Sequence, residues 1–242
     1  MPNLPKWAAD AAEKIFTKFY HPMVVTKTEY LDTDWKRVCF SGDLHRVGYT
    51  PGQVIEFRVT DTQFRHYTPS SFDAEKGQCE VLFYLHEKGP GSIWAAQLQP
   101  GDAISLMGPG GDKTFRTAAT HHFFFGDETS LGLYANFKQL ALTTDKEYLC
   151  LLELDVDHWH WPRLIELEAD IVPKNETNPG SHAAKAIQEL DYRLWKTWRL
   201  ATFYLTGCAC SVRQVRKALR SKGVAAHQIS SYPYWSTSKT GL

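Results

Sequence analysis

Nowhere does the sequence run through about 20 consecutive apolar residues, the length a helix needs to cross a bilayer, so a helical membrane span is excluded. Neither sign of charge is in excess, since Lys plus Arg is 27 and Asp plus Glu is 27. A general nucleic-acid binder usually carries a basic surplus, so nucleic acid is not an expected partner, while a local basic pocket stays compatible with this balance. Cysteine is sparse: there are five, and only Cys208 and Cys210 stand close together. That pair has neither the CxxC spacing of a redox pair nor the four-Cys spacing of an iron–sulfur site. The opening MPNLPKWAADAAEK lacks the basic-then-apolar pattern of a secretory leader, so a reduced, cytoplasmic protein with no membrane partner is expected. The composition is that of no disordered, collagen-like or coiled-coil chain, and no internal repeat is found.

What is present is globular. Hydrophobic residues make up 43% and charged residues 22% of the 242 residues. That length admits one large domain or two of about 120 residues each. It buries about 70–75% of the unfolded surface without disulfide or metal staples. Aromatics are abundant, with 8 Trp, 11 Tyr and 13 Phe. Planar ligands such as flavins favour such surroundings, and an aromatic core accounts for the same count.

The texture changes twice along the chain. Pro5 to Tyr20 reads as a helix, with Ala8, Ala11, Ala12, Ile15, Phe16 and Phe19 at helical spacing, and His21-Pro22 ends it. From Met23 to about Arg116 come short Val-, Thr-, Tyr- and Phe-rich runs (VVTKTEYL, KRVCFSG, VIEFRVT, CEVLFYLH) separated by turn residues, the pattern of an antiparallel barrel or sandwich. After Thr117, strands alternate with helices: HHFFFG, ETSLGLYANFKQLAL, EYLCLLEL, SHAAKAIQELDYRLW, ATFYLTG, SVRQVRKALRSKG and HQISSYPYW. This predicts a doubly wound parallel sheet. The predicted fold class is therefore two-domain β plus α/β: an N-terminal helix over 1–20, an antiparallel β-barrel over 21–117 and an α/β domain over 118–242. Val172 to Gly180 reads as the most loop-like segment.

Four short motifs invite chemistry. Arg65-His66-Tyr67-Thr68-Pro69-Ser70-Ser71 joins a planar phosphate-binding fork to an aromatic ring two residues on, on the same face of an extended chain, and a hydroxyl beside it. An exposed edge strand turning at Pro69 fits the same residues. Gly89-Pro90-Gly91-Ser92-Ile93-Trp94 sets glycines and a serine at the start of a short helix, SIWAAQL, where backbone N–H groups and the helix dipole make an anion site. A Gly-Pro-Gly turn capped by Ser is an equally ordinary device. Tyr49-Thr50-Pro51-Gly52-Gln53 and Gly108-Pro109-Gly110-Gly111 read as turns.

Taken in order, PGQ, RHYTPSS, GPGSIWAAQLQPGD and GPGG resemble the flavin-binding barrel of the ferredoxin–NADP reductase superfamily. Within it, HEKGPGSIWAAQLQPGD, Gly126-Asp127-Glu128-Thr129-Ser130 and the closing Tyr234-Trp235 resemble the siderophore-interacting proteins, FAD-dependent ferric-siderophore reductases. The resemblance covers almost all of the chain after Met23. It implies FAD as cofactor on the barrel and NAD(P)H as donor on the α/β domain. Arg65 would face the pyrophosphate, Tyr67 would pack on the isoalloxazine, and Thr68 would approach the flavin N5, which makes Tyr67 and Thr68 the catalytic pair. His66 belongs to the same cofactor-binding run. Ser92 and the N–H groups of Gly91, Ser92, Ile93 and Trp94 would hold phosphate, and His86 would lie beside the FAD. Gly126, Asp127 and Thr129 would form the turn that admits NAD(P)H, with Trp235 beside the cofactors. Thr206-Gly207 would face the same crevice. The family usually has Gly-Glu after that later strand, and this chain has Gly207-Cys208.

On this resemblance hydride passes from NAD(P)H to FAD, and electrons then pass to a ferric siderophore, with ferredoxin as an alternative donor and a monomer as the expected state. Rival readings are a general flavin or ferredoxin-type reductase with a protein or free-flavin partner, and a non-enzymatic binding module on the same scaffold. Glu153, Asp155 and Asp157 at the end of the second α/β strand lean toward NADH, because carboxylates repel a 2′-phosphate. Lys239, Arg193, Lys196 and Arg199 are basic candidates for an anionic siderophore, and each fits a solvated surface charge as well. His158 and His160 in the His-Trp-His-Trp run share a face only in a strand, and no third ligand stands nearby, so no metal site is assigned. Asp127 is expected to cap the helix that follows it.

Overall fold

The computed structural model describes residues 20–112 and 114–236. The chain divides into two compact units, Met1–Thr114 and Phe115–Leu242. The predicted helix before Tyr20 lies outside the described residues. Tyr20, His21 and Pro22 belong to the first strand rather than to a helix end.

The first unit is an antiparallel half-barrel of seven strands: β1 (Tyr20–Asp32), β2 (Trp35–Gly42), β3 (Val54–Thr60), β4 (Gln63–Tyr67), β5 (Ser71–Asp73), β6 (Gln78–Tyr84) and β7 (Ala103–Gly110). Their order across the sheet is β4-β3-β7-β1-β2-β6-β5. In β6, Cys79, Val81 and Phe83 are buried while the residues between them are not, the period-two pattern that turns one face to a core. Phe40, Phe57, Val38, Ile55 and Leu106 complete that core from the neighbouring strands. One helix, α1 (Pro90–Gln97), interrupts the sheet between β6 and β7. Gly108-Pro109-Gly110, expected as a turn, instead continues β7, where Gly108 takes φ +106°, a conformation open to glycine.

The second unit is a parallel sheet of β8 (His121–Gly126), β9 (Glu147–Leu154), β10 (Asp170–Pro173), β11 (Thr202–Cys208) and β12 (Ile229–Trp235). Five of the six residues of β8 and all of β11 are buried, as expected for central strands covered on both faces. The helices are α2 (Leu131–Thr143), α3 (Trp161–Leu164), α4 (Ser181–Glu189), α5 (Tyr192–Trp198) and α6 (Ala209–Ser221). The order β10-β9-β8-β11-β12 reverses direction between β8 and β11. In open α/β sheets ligands bind at such a switch point, outside the carboxyl ends of the strands.

The fold class is as the sequence predicts, with three further local differences. The run SHAAKAIQELDYRLW forms two helices, because Asp191 stops the first by capping the second. Its carboxylate accepts from the N–H groups of Arg193 (2.8 Å) and Leu194 (3.3 Å). Val172 and Pro173, read as loop, belong to β10, an edge strand, where the missing proline N–H costs nothing on the open side. His158 lies in a 3-10 turn (Val156–His158) and Trp161 opens α3, so this run is not a strand.

Candidate functional site

In the first unit, strand alternation sorts the RHYT motif. Arg65 and Tyr67 point to one side of β4, and His66 to the other. Tyr67 rests its ring on Phe83 (4.7 Å, edge-on) and Phe57 (6.0 Å). Trp94 of α1 joins the same cluster through Phe57 (5.2 Å) and Phe83 (6.0 Å). Gly91 sits so close that a Cβ there would come within 2.3 Å of the Tyr67 hydroxyl and 3.1 Å of the Arg65 Cγ. Arg65, Tyr67 and the first turn of α1 therefore converge. The Tyr67 hydroxyl is pushed well above its ordinary pKa by burial, so it stays protonated. Arg65 spends one N–H on the Phe64 carbonyl (2.7 Å), and a guanidinium has five.

The other residues of this set lie differently. His66 is exposed and holds the Glu56 carboxylate at 2.6 Å, directly across from it on β3. Ser92 does not cap α1: Gly89 is the N-cap, and the Ser92 Oγ accepts from the Glu87 N–H (3.0 Å), shaping the loop before the helix. His86 is exposed, edge-on to Tyr84 (5.5 Å), with Nδ1 accepting from the Lys88 N–H (3.2 Å). Ile93 is exposed, and Thr68 is half-buried just past β4.

In the second unit the site is built at the switch point. The Asp127 carboxylate, buried, caps the turn Glu128–Ser130 by accepting from the Thr129 N–H (3.0 Å). Its second oxygen accepts from the backbone N–H of Cys208 (2.8 Å) at the end of β11 and from the indole N–H of Trp235 (2.8 Å) at the end of β12. Gly207 has φ +91°, and a Cβ there would fall 2.4 Å from that oxygen. Gly126 is equally constrained, since a Cβ would meet the Ser130 side chain at 2.4 Å. Behind this hub the hydroxyls of Ser130, Thr206 and Tyr134 are linked at 2.8 and 2.7 Å. Asp127 and Trp235 are thus occupied with each other in shaping the turn.

Glu128 builds a second buried cluster. It accepts from the Asp155 N–H (2.9 Å), faces the His158 Nδ1 (2.9 Å) and pairs with the Lys174 ammonium (2.7 Å), which also reaches Asp155 (2.8 Å). Burial alone would raise the Glu128 carboxyl. The His158 hydrogen bond and the Lys174 charge outweigh it and hold the pKa down at about 2. Glu128, Asp155 and His158 bring ligand-type atoms within 4.8 Å of one another, but the Lys174 ammonium already supplies the cation between the two carboxylates. Glu153 is buried and engaged with Gly180 N–H (2.7 Å) and Ser211 Oγ. Of the three carboxylates that leaned toward NADH, Glu153 and Asp155 are engaged in this way, and among the described residues Asp157 makes no such bond.

Sequence reasoning missed Lys174, which it placed in a loop, and Lys36, whose partners lie 59 to 62 residues away. No local pattern marks either. Of the basic candidates, Lys239 lies outside the described residues, and Arg193, Lys196 and Arg199 sit on or just after α5.

The geometry has counterparts. Residues 47–113 match the model of the siderophore-interacting FAD-binding domain, and residues 119–238 match that of the siderophore-interacting protein. The chain belongs to the siderophore-interacting protein family. An uncharacterized protein of Mycobacterium tuberculosis is 30% identical over 190 residues, 73% of this chain and 66% of that protein. The match therefore spans just under two thirds of that relative's length. The NADPH-dependent ferric-chelate reductase of Escherichia coli is 31% identical over 67 residues, 28% of this chain and 26% of that one. In fold, the siderophore utilization protein from T. fusca superposes with a TM-score of 0.73 at 21% identity, covering 92% of this chain and 95% of that one. The siderophore-interacting protein SipS from Aeromonas hydrophila does so at 0.71 and 18%, covering 91% and 93%.

The match to the siderophore-interacting FAD-binding domain brings FAD as cofactor. The residues present fit the flavin nucleotide. The first turn of α1 carries no acidic residue, Gly91 leaves room for the Tyr67 hydroxyl, and the Arg65 side chain passes beside it through its Cγ. That is a donor set for a diphosphate.

Proposed function

We propose that this siderophore-interacting protein is a reductase that takes electrons from NAD(P)H and delivers them to a ferric siderophore in the cytoplasm, acting as a monomer. Residues 21–117 would form its flavin domain and 118–242 its nucleotide domain. The observation that carries the reading is the convergence of Arg65, Tyr67 and the glycine-lined start of α1 within the segment matched to the FAD-binding domain. FAD, when bound, turns a two-electron hydride donor into a source of single electrons for Fe(III). Siderophores hold Fe(II) far less tightly, so reduction releases the metal.

The chain's own contribution is placement and electrostatics. Arg65 and the N–H groups of Gly91, Ser92, Ile93 and Trp94 would bind the diphosphate. Tyr67, braced by Phe83 and Phe57, would bind the ring system without ionising. Thr68, just past β4 and half-buried, would offer a hydroxyl to that ring. In the α/β unit, Gly126 and the Asp127-capped turn would receive the nicotinamide nucleotide, and Cys208, tied through its N–H to Asp127, would line the same strand ends. The ferric-chelate reductase activity named for the Escherichia coli relative supports the same chemistry.

The test is an absorption spectrum of the purified protein, taken anaerobically with NADH or NADPH and then with a ferric siderophore. A yellow protein that bleaches with the nucleotide and regains colour with the ferric chelate is expected. A yellow protein that neither nucleotide bleaches would move the donor to a ferredoxin. One that bleaches but ignores ferric chelates would remove the siderophore. Replacing Thr68 with Val should leave FAD bound and slow the bleaching; an unchanged rate would take Thr68 out of the reacting set.

A further inference from the structure

Helix α1 ends without help from its own neighbourhood. Leu98 leaves it at φ −57°, ψ 131°, and its last turn carries no basic residue. The last carbonyls of a helix have no intrahelical partners. Here they are met from another element. Lys36 of β2 sends its ammonium to the carbonyl oxygens of Ala95 (3.1 Å), Ala96 (2.9 Å) and Leu98 (2.8 Å). The residue is 2% exposed. The three N–H groups of an ammonium match these oxygens one to one, and the Tyr30 hydroxyl also reaches the Ala96 oxygen, at 3.5 Å. The Tyr30 ring stands 5.2 Å from the nitrogen and adds a cation–π contact.

The other end of α1 is the reverse. Gly89 caps it with no side-chain hydrogen bond, and its first turn holds no acidic residue. A buried cation thus offsets the negative end of the helix dipole, while no carboxylate in the first turn offsets the positive end. Eight residues make a rod of about 12 Å, too long for the Lys36 charge itself to act strongly at the far end. The effect is placement. Anchored at its C-terminal end by Lys36 and packed mid-length through Trp94 on Phe57 (5.2 Å) and Phe83 (6.0 Å), a rod this short has its N-terminal end held as well.

We infer that Lys36 is a positioning residue for the FAD diphosphate, clamping α1 from behind so that the Gly91–Trp94 amides stay aimed beside Arg65. This rests on the reading that the start of α1 receives the diphosphate.

The experiment titrates full-length apoprotein with FAD and with riboflavin, which carries the same ring system and no phosphate. Wild type, Lys36→Met, Lys36→Gln and Arg65→Ala are compared, with circular dichroism as the check on folding. Lys36→Met should weaken FAD about tenfold, a loss of about one buried hydrogen-bonded contact, and change riboflavin by less than about twofold. Lys36→Gln, which keeps two N–H donors, should fall between, and it carries the test if the Met variant does not fold. Equal weakening of both flavins would make Lys36 merely structural and overturn the inference, as would unchanged FAD affinity. Arg65→Ala separates the two levels. If it lowers FAD affinity alone and the Lys36 variants do not, Lys36 fails and the diphosphate reading stands. If it leaves the ratio of the two affinities unchanged, the diphosphate reading itself fails.

Discussion

The carboxylate of Asp127 accepts a hydrogen bond from the indole N–H of Trp235 at 2.8 Å, across 108 residues of sequence. The same oxygen takes the N–H of Cys208. One side chain at the end of β8 thereby ties down the ends of β11 and β12, and the switch point of the sheet becomes a single rigid corner. Asp127→Asn replaces one oxygen with an N–H₂ group. Whichever way the amide turns, a donor then faces a donor. The variant should lose about 2–3 kcal/mol of stability, read as a lower urea midpoint. A midpoint within error of wild type would mean the carboxylate does not hold the corner.

Gly207→Ala attacks the same corner from the backbone. The new Cβ would lie 2.4 Å from the Asp127 oxygen, at a φ of +91° that side chains rarely adopt. A cost of about 2 kcal/mol or more is expected, seen as a drop in Tm. If Gly207→Ala and Asp127→Asn disturb one contact, the double variant should cost less than the sum of the two.

Stability should follow pH through Glu128 and His158. The Glu128 pKa is depressed to about 2 from its ordinary 4.5, so its contribution is present above 4.5 and lost as pH falls toward 2. The His158 pKa is raised from 6.5, first by its bond to Glu128 and against burial, so its contribution is complete below 6.5 and lost as pH rises through the raised value. The cluster stabilises most between about pH 4.5 and 6.5. The gap in urea midpoint between wild type and His158→Gln should be widest in that window and shrink at alkaline pH. A gap that does not vary with pH would show that His158 acts by packing alone.

Gly91→Ala tests the convergence in the half-barrel. Its Cβ would press on the Tyr67 hydroxyl at 2.3 Å, and the ring, braced by Phe83, has little room to retreat. Flavin retention after gel filtration should fall about tenfold, while circular dichroism changes little. Full retention would place the flavin away from Tyr67 and Gly91.

Much was legible beforehand, because it depends on local patterns. Alternation in CEVLFYLH and unbroken apolar runs such as HHFFFG distinguish a half-exposed antiparallel strand from a central parallel one, and the two textures divide the chain into its two kinds of unit. Glycines mark Gly126 and Gly91 as places of close approach. Asp127 is recognisable as a cap from the residues just after it. Where patterning misled, a nearby residue was the cause: Asp191 splits one helical run, and Pro173 hides an edge strand.

The partners of buried charges were beyond its reach. Lys36 and Lys174 look like any surface lysine in the chain, yet each ends in a cluster of acceptors supplied by distant elements. His66, adjacent to Arg65, turns to Glu56 because consecutive residues of a strand face opposite sides, and only the pairing of β3 with β4 says what waits there. The sequence by itself determined the two architectures, through the periods of its apolar residues. The tertiary structure decided which polar groups meet, because a charge leaves water only where other elements bring it enough hydrogen bonds.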